Sequence, residues 1–145
     1  MKPGPLAWSI TDRVGYAHAM LGGIVEERVA PLGLSRAQAV ALAVLGEFPG
    51  GLSQAAWARL QGVSRQHAHT LARRLQAEGW IEGKRAGRER HLRLSTGGRR
   101  RMASFRPKME TRLEKALAGL APGERRDLHR LLGLLVKTLE PDEQS

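Results

Sequence analysis

Gln66, Thr70 and Arg73 are spaced four and three residues apart, the interval that gathers side chains onto one face of a helix. An amide, a hydroxyl and a guanidinium aligned in this way suit recognition by hydrogen bonds better than bond making. Gln can bridge N6 and N7 of adenine and Arg can bridge O6 and N7 of guanine, each pairing giving about 1–3 kcal/mol of discrimination against a wrong base. Arg65, His67, His69 and Arg74 flank the three, and no acidic residue stands between Gly62 and Ala77. A solvated amphipathic helix would also have a charged outer face, but such faces usually mix Glu with Lys or Arg. A face that is basic and hydrogen-bonding throughout favours nucleic-acid recognition.

Other chemistries find little support. His67 and His69 diverge by about 200° on a helix and cannot share a metal, while His18, His91 and His129 are isolated in sequence. The chain has no cysteine, so disulfides and thiolate metal sites are excluded. No Ser-His-Asp ordering, paired carboxylates or phosphate-cradling glycine loop is visible, and Gly97-Gly98 starts a helix without nucleotide-motif spacing. Neither an enzyme, a cofactor nor a metal is expected. No apolar run approaches the ~20 residues of a membrane span. The opening MKPGPLAWSITDR lacks a signal-peptide core, so the chain reads as cytoplasmic with no membrane partner.

The formal net charge is +10, and residues 53–106, with thirteen basic and three acidic side chains, hold all of it. The flanking segments 1–52 and 107–145 are each neutral. Charge concentrated in this way points to a polyanion rather than to general solubility. RNA is the weaker choice, because the few aromatic residues do not lie on the basic face.

The elements that must position these residues follow from local signals. Ser64 is an N-cap for the basic helix, and Ala68, Leu71, Ala72 and Leu75 define its buried face. Ser53 caps a preceding helix through about Gln61, and Gly62 stands where a helix closes in a left-handed residue. After Gly79 and Trp80 the period changes. Strand-like segments at 80–84 and 91–94 enclose a basic tip at 84–90, so the unit reads as a winged helix. Upstream, residues 10–30 form a long helix with an apolar stripe of Val14, Ala17, Leu21 and Ile24 or Val25, stopped by Pro31. Ser35-Arg36-Ala37-Gln38 is a capping box opening an apolar helix to about Phe48. Downstream, a helix from Ser95 to about Leu120 contains Pro107, where a kink or break is expected. A last helix after Pro122 carries Leu128, Leu131, Leu132, Leu135, Val136 and Leu139.

The order of these elements, and six short motifs within them, resemble the MarR family of bacterial transcriptional regulators. The motifs are Leu34-Ser35-Arg36-Ala37-Gln38, Leu52-Ser53-Gln54, Gly62-Val63-Ser64-Arg65-Gln66, Leu75-Gln76-Ala77-Glu78-Gly79-Trp80-Ile81-Glu82, Leu94-Ser95-Thr96-Gly97-Gly98-Arg99 and Leu120-Ala121-Pro122-Gly123-Glu124-Arg125. The resemblance covers about residues 10–140. It implies a homodimer joined through its terminal helices on a pseudo-palindromic operator, commonly a repressor relieved by a small phenolic or anionic ligand. The wing departs from the family pattern by being about three residues shorter. Arg88-Glu89-Arg90 is the nearest match to the family's Asp-x-Arg element, with Glu89 placed to steady Arg88 or Arg90.

The expectation is a mainly α protein, with a winged helix-turn-helix DNA-binding domain at 34–95 and a helical dimerisation region at 8–31 and 96–140. Its partners would be double-stranded DNA and a second copy of itself. Gln66, Thr70 and Arg73 would read bases. Ser53, Gln54, Arg65, His67, His69 and Arg74 would meet phosphates, with Ser64 beside them in the DNA-binding set. Arg85 and Arg88 would enter the minor groove, with Arg90 beside them in the DNA-binding set. Tyr16, His18, Met20, Met102, Phe105 and Met109 could line a pocket for a small aromatic or anionic effector, or could be ordinary core. The alternative is a ligand-independent or architectural DNA binder.

Overall fold

Capping chemistry sets most element boundaries in the computed structural model, which describes residues 5–139. In chain order these are helices α1 (Pro5–Val29) and α2 (Arg36–Gly46), strand β1 (Leu52–Ser53), and helices α3 (Gln54–Gln61) and α4 (Arg65–Ala77). Strands β2 (Ile81–Ala86) and β3 (Glu89–Leu94) and helices α5 (Thr96–Ala116) and α6 (Pro122–Leu139) follow. The Ser35 box forms in full: Ser35 Oγ accepts from the Gln38 amide at 3.2 Å, and Gln38 Oε1 accepts from the Ser35 amide at 2.8 Å. Ser53, Ser64 and Ser95 each accept from the amide three residues on, at 3.1, 3.1 and 2.8 Å. Each bond satisfies a helix-start donor that would otherwise have no partner. Ser35→Ala is expected to cost about 1 kcal/mol in urea denaturation with an unchanged m-value; no loss would show that the box is merely decorative.

The winged-helix core is built on one face of α4. Ala68, Leu71, Ala72 and Leu75 are buried, the four positions the wheel selects. They join Leu42 and Leu45 of α2, Trp57 of α3, and Trp80, Ile81, Leu92 and Leu94 around the wing's base. Trp57 Nε1 donates to the Ala41 carbonyl at 2.9 Å, so the indole is buried without an unmade hydrogen bond. Met102, Phe105 and Met109 of α5 pack against the same cluster.

Four local expectations are corrected. Leu52 and Ser53 do not simply open a helix. They form β1, pairing Leu52 with Leu92 and Ser53 with His91, so the sheet order is β1-β3-β2. Two residues are too few to show an alternating pattern in sequence. The wing strands reach further than 80–84 and 91–94, with pairing out to Ala86 opposite Glu89, and only Gly87 and Arg88 form the turn. Gly87 has φ 64°, as the first central residue of a two-residue hairpin turn requires. Most of the expected tip is therefore a hydrogen-bonded ladder.

Helix α1 begins at Pro5, and its stripe is only partly used: Val25 packs against the core, but Val14, Ala17 and Leu21 are exposed. Pro31 lies in a 3-10 turn (Ala30–Leu32) that closes at Gly33. Helix α5 runs through Pro107 without a break. Proline deletes a single N–H bond, and the turns on either side hold the helix together.

The chain divides into two compact units, through Met109 and from Glu110 onward. In the second, Glu124 Oε1 accepts from the Ala121 amide at 2.9 Å, capping α6. Arg125 donates to the carbonyls of Leu120 (3.2 Å) and Leu117 (3.0 Å) and to Glu114 Oε2 (2.6 Å). Its guanidinium thus gathers the carbonyls at the end of α5 onto the start of α6.

Candidate nucleic-acid interface

The turn between α3 and α4 sets the pose of the basic helix. Gly62 adopts φ 69°, and the amides of Gly62 and Val63 donate to Arg59 and Ala58, closing α3 before Ser64 starts α4. With the apolar face buried, Gln66, Thr70 and Arg73 stand exposed on the opposite side of α4, flanked by exposed Arg65, His67, His69 and Arg74. The Thr70 hydroxyl donates to the Gln66 carbonyl at 3.1 Å, leaving its oxygen as an acceptor. Arg74 is partly neutralised by Glu78 at 3.2 Å. Among the described residues Arg65, Arg73, Arg85 and Arg88 have no carboxylate partner. Cations without partners are the ones able to release counterions when they meet phosphate.

Two clefts continue this surface. One, of about 450 Å³, is lined by His69, Arg73, Gln76 and Arg90. The other, of about 310 Å³, is lined by Gln54, Ala55, Arg65, Arg88, Glu89 and Arg90. Arg90 borders both, so a largely basic surface runs from α4 to the wing and to the start of α3, with Glu89 also on its lining. Ser53 and Ser64 belong to the same edge, but their oxygens already accept as helix caps. Gln54 Oε1 is buried there with no hydrogen-bond partner.

The wing arginines separate into two kinds. Arg85 and Arg88 are exposed. Arg90 Nη2 instead donates to Gln76 Oε1 at 2.8 Å, joining the wing to α4. Among the described residues Glu89 pairs with neither Arg88 nor Arg90. Sequence reading missed Gln76 because nothing local marks a partner 14 residues away. The lone clue was Gly83 inside a strand, which signals a close approach. It also missed Arg93, which donates to Glu82, and Arg101, whose guanidinium lies 3.6 Å from the centre of the Trp80 ring.

Of the six candidate effector residues, three lie on α1 and three on α5. Met102, Phe105 and Met109 face the winged-helix core, and Tyr16 and Met20 are exposed on α1. His18 is engaged by Arg36, whose Nη2 contacts the imidazole Nε2 at 2.9 Å and the His18 carbonyl at 3.2 Å. Among the described residues no three His, Cys, Asp or Glu side chains gather as metal ligands, and no single helix is long and apolar enough to cross a membrane.

A helix-turn-helix with an exposed basic second helix, a β-hairpin after it and a third strand before it defines a winged-helix protein. A MarR family model matches residues 32–90. The fold agrees over a longer span. A MarR family transcriptional regulator from Silicibacter pomeroyi DSS superposes with a TM-score of 0.84 at 17% identity, covering 95% of this chain and 94% of that one. A MarR family regulator from Rhodococcus sp. RHA1 gives 0.79 at 18% identity over 88% and 92%. Wild-type MarR from E. coli in its apo form gives 0.72 at 18% over 93% and 98%. No curated protein matches the chain in sequence. Residues 32–90 are thus similar to the MarR family, and the likeness in fold extends over most of the chain.

Proposed function

We propose that the chain is a sequence-specific DNA-binding transcriptional regulator, acting in the cytoplasm as a homodimeric repressor of a pseudo-palindromic operator. The observation that carries this reading is the largely basic surface from α4 to the wing, with Arg65, Arg73, Arg85 and Arg88 unpaired among the described residues. In this reading α4 occupies the major groove, with Gln66, Thr70 and Arg73 at base edges. Ser53, Gln54, Arg65, His67, His69 and Arg74 lie along phosphates, with Ser64 beside them, and Arg85 and Arg88 enter the minor groove. Selection of bound duplexes from a random pool tests it. A palindrome with half-sites about one helical turn apart is the expected product, and an unselected pool would sink the claim of specificity.

The terminal helices support the dimer. On α1, Leu6, Trp8, Tyr16 and Met20 are 65–73% exposed, and on α6 Leu131, Leu134, Val136 and Leu139 are 52–72% exposed. Two neutral segments carrying this much uncovered apolar surface suit a second copy of the chain. Leu131→Arg is expected to shift sedimentation from dimer to monomer and to weaken operator binding at least about tenfold, since the two half-sites are then bound independently. A wild-type chain that sediments as a monomer at micromolar concentration would overturn the dimer.

Relief by a small aromatic or anionic effector belongs to the same reading, with the pocket drawn from Tyr16, His18, Met20, Met102, Phe105 and Met109. The packing of the last three against the core favours the second reading, a ligand-independent regulator. Thermal-shift screening with aromatic acids followed by operator release separates the two: a ligand that stabilises the protein and frees DNA supports the first.

A further inference from the structure

The wing hairpin leaves the core as a two-stranded ribbon, and Arg85 and Arg90 stand directly opposite each other across it. Both lie on the strand face that continues from buried Ile81, Leu92 and Leu94, the face turned to the core at the ribbon's base. Like charges placed opposite in this way repel. Arg90 avoids the conflict by donating from Nη2 to Gln76 Oε1 at 2.8 Å. Gly83 makes room for the crossing: a Cβ there would lie 2.8 Å from both Arg90 Nε and Gln76 Nε2. Gln76 sits on the last turn of α4, one residue before the helix ends. The bond therefore ties the end of α4 to the outer half of the wing.

We propose that Gln76 is a positioning residue that fixes the wing against the recognition helix by holding Arg90, leaving Arg85 and Arg88 as the wing arginines that enter the minor groove. This rests on the DNA-binding reading above and adds to it a specific arrangement. Recognition of a major-groove half-site and of a flanking minor groove requires a set distance between helix and wing, and a free ribbon would not keep it. Arg90 acts as a strut and not as a reader of DNA. The arrangement predicts that the preference for A·T-rich flanks, whose narrow minor groove attracts arginine, depends on a residue that does not itself enter that groove.

The test uses the full chain and two operators that share half-sites and differ only in A·T or G·C flanks. Gln76→Ala removes the acceptor and Gly83→Ala closes the passage from the other side. Each is expected to lower the A·T-to-G·C affinity ratio about threefold, the effect of one lost hydrogen bond, while base preference opposite α4 is kept. Gln76→Glu retains an acceptor for Arg90 and is expected to restore the ratio even where its added charge lowers overall affinity. Because the chain has no cysteine, spin labels at Ala77→Cys and Ala86→Cys report the helix-to-wing distance without DNA. A narrow distribution should broaden in Gln76→Ala. Uniform weakening on both operators with an unaltered label distance would make Gln76 a plain phosphate contact and overturn the proposal. A wild-type chain indifferent to its flanks would overturn it too. A wild-type chain that binds no duplex sinks the DNA-binding reading as a whole, an outcome distinct from the other two.

Discussion

Arg73→Ala is expected to abolish discrimination at one operator position, reducing the preference for its best base by about 1–3 kcal/mol while affinity for other sequences changes little. Arg73 stands on the outer face of α4 with no carboxylate partner among the described residues, so its fork is free to meet a guanine edge. Fluorescence anisotropy against operators carrying each base in turn gives the measurement. Arg73→Lys should not rescue, since an ammonium lacks the paired donors that match O6 and N7. Arg85→Ala supplies the contrast. Losing a minor-groove cation should lower affinity whatever the bases opposite α4, most on A·T-rich flanks, and reduce the slope of log affinity against log salt by about one. If Arg73→Ala weakens every sequence equally, Arg73 is a phosphate contact and the assignment of base reading to that position is wrong.

Two adjacent glycines at the start of α5 are expected to respond differently to alanine. Gly98 is buried where the helix meets the chain leaving α4, and a Cβ there would lie 2.0 Å from the Trp80 carbonyl oxygen and 2.9 Å from its carbon. Backbone cannot swing aside as a side chain can. The Trp80 carbonyl also accepts from the Ser95 amide at 3.0 Å, and Ser95 Oγ donates to the Gly79 carbonyl at 2.6 Å. Any shift that makes room for the methyl group strains these bonds and moves Trp80, which is 1% exposed. Gly98→Ala should therefore cost about 3 kcal/mol, at the upper end for an overpacked site, and lower the melting temperature by about 10 °C. Gly97 is exposed, and its added Cβ would meet nothing closer than 3.9 Å. Gly97→Ala should be neutral or stabilise by up to about 1 kcal/mol through helix propensity. Equal losses from both would show that the close approach at Gly98 is not the cause.

Much of the fold was legible because its signals are local. The buried face of α4 is a property of positions around one helix axis, and Ala68, Leu71, Ala72 and Leu75 could be read without knowing what they pack against. The serine caps and the left-handed glycine at 62 were equally plain, since each concerns bonds spanning three or four residues. β1 was not legible, because a two-residue strand exists only through its partner in β3. The break, one of the two outcomes expected at Pro107, is absent for a related reason: the proline penalty is local, but the continuity of α5 depends on the turns on either side.

The candidate interface divides along the same line. The sequence by itself determined that the excess charge lies in residues 53–106, and that Gln66, Thr70 and Arg73 share an outer face, since charge and helical period need no tertiary contact. Only the tertiary structure decided which arginines are engaged and which are free. Arg74 is held by Glu78, Arg90 by Gln76 through the gap at Gly83, and Arg101 lies over Trp80. Composition scores these arginines alike, because a guanidinium carries its charge wherever it stands. Its partner is set by distance across elements, and that distance exists only once the wing has folded beside α4.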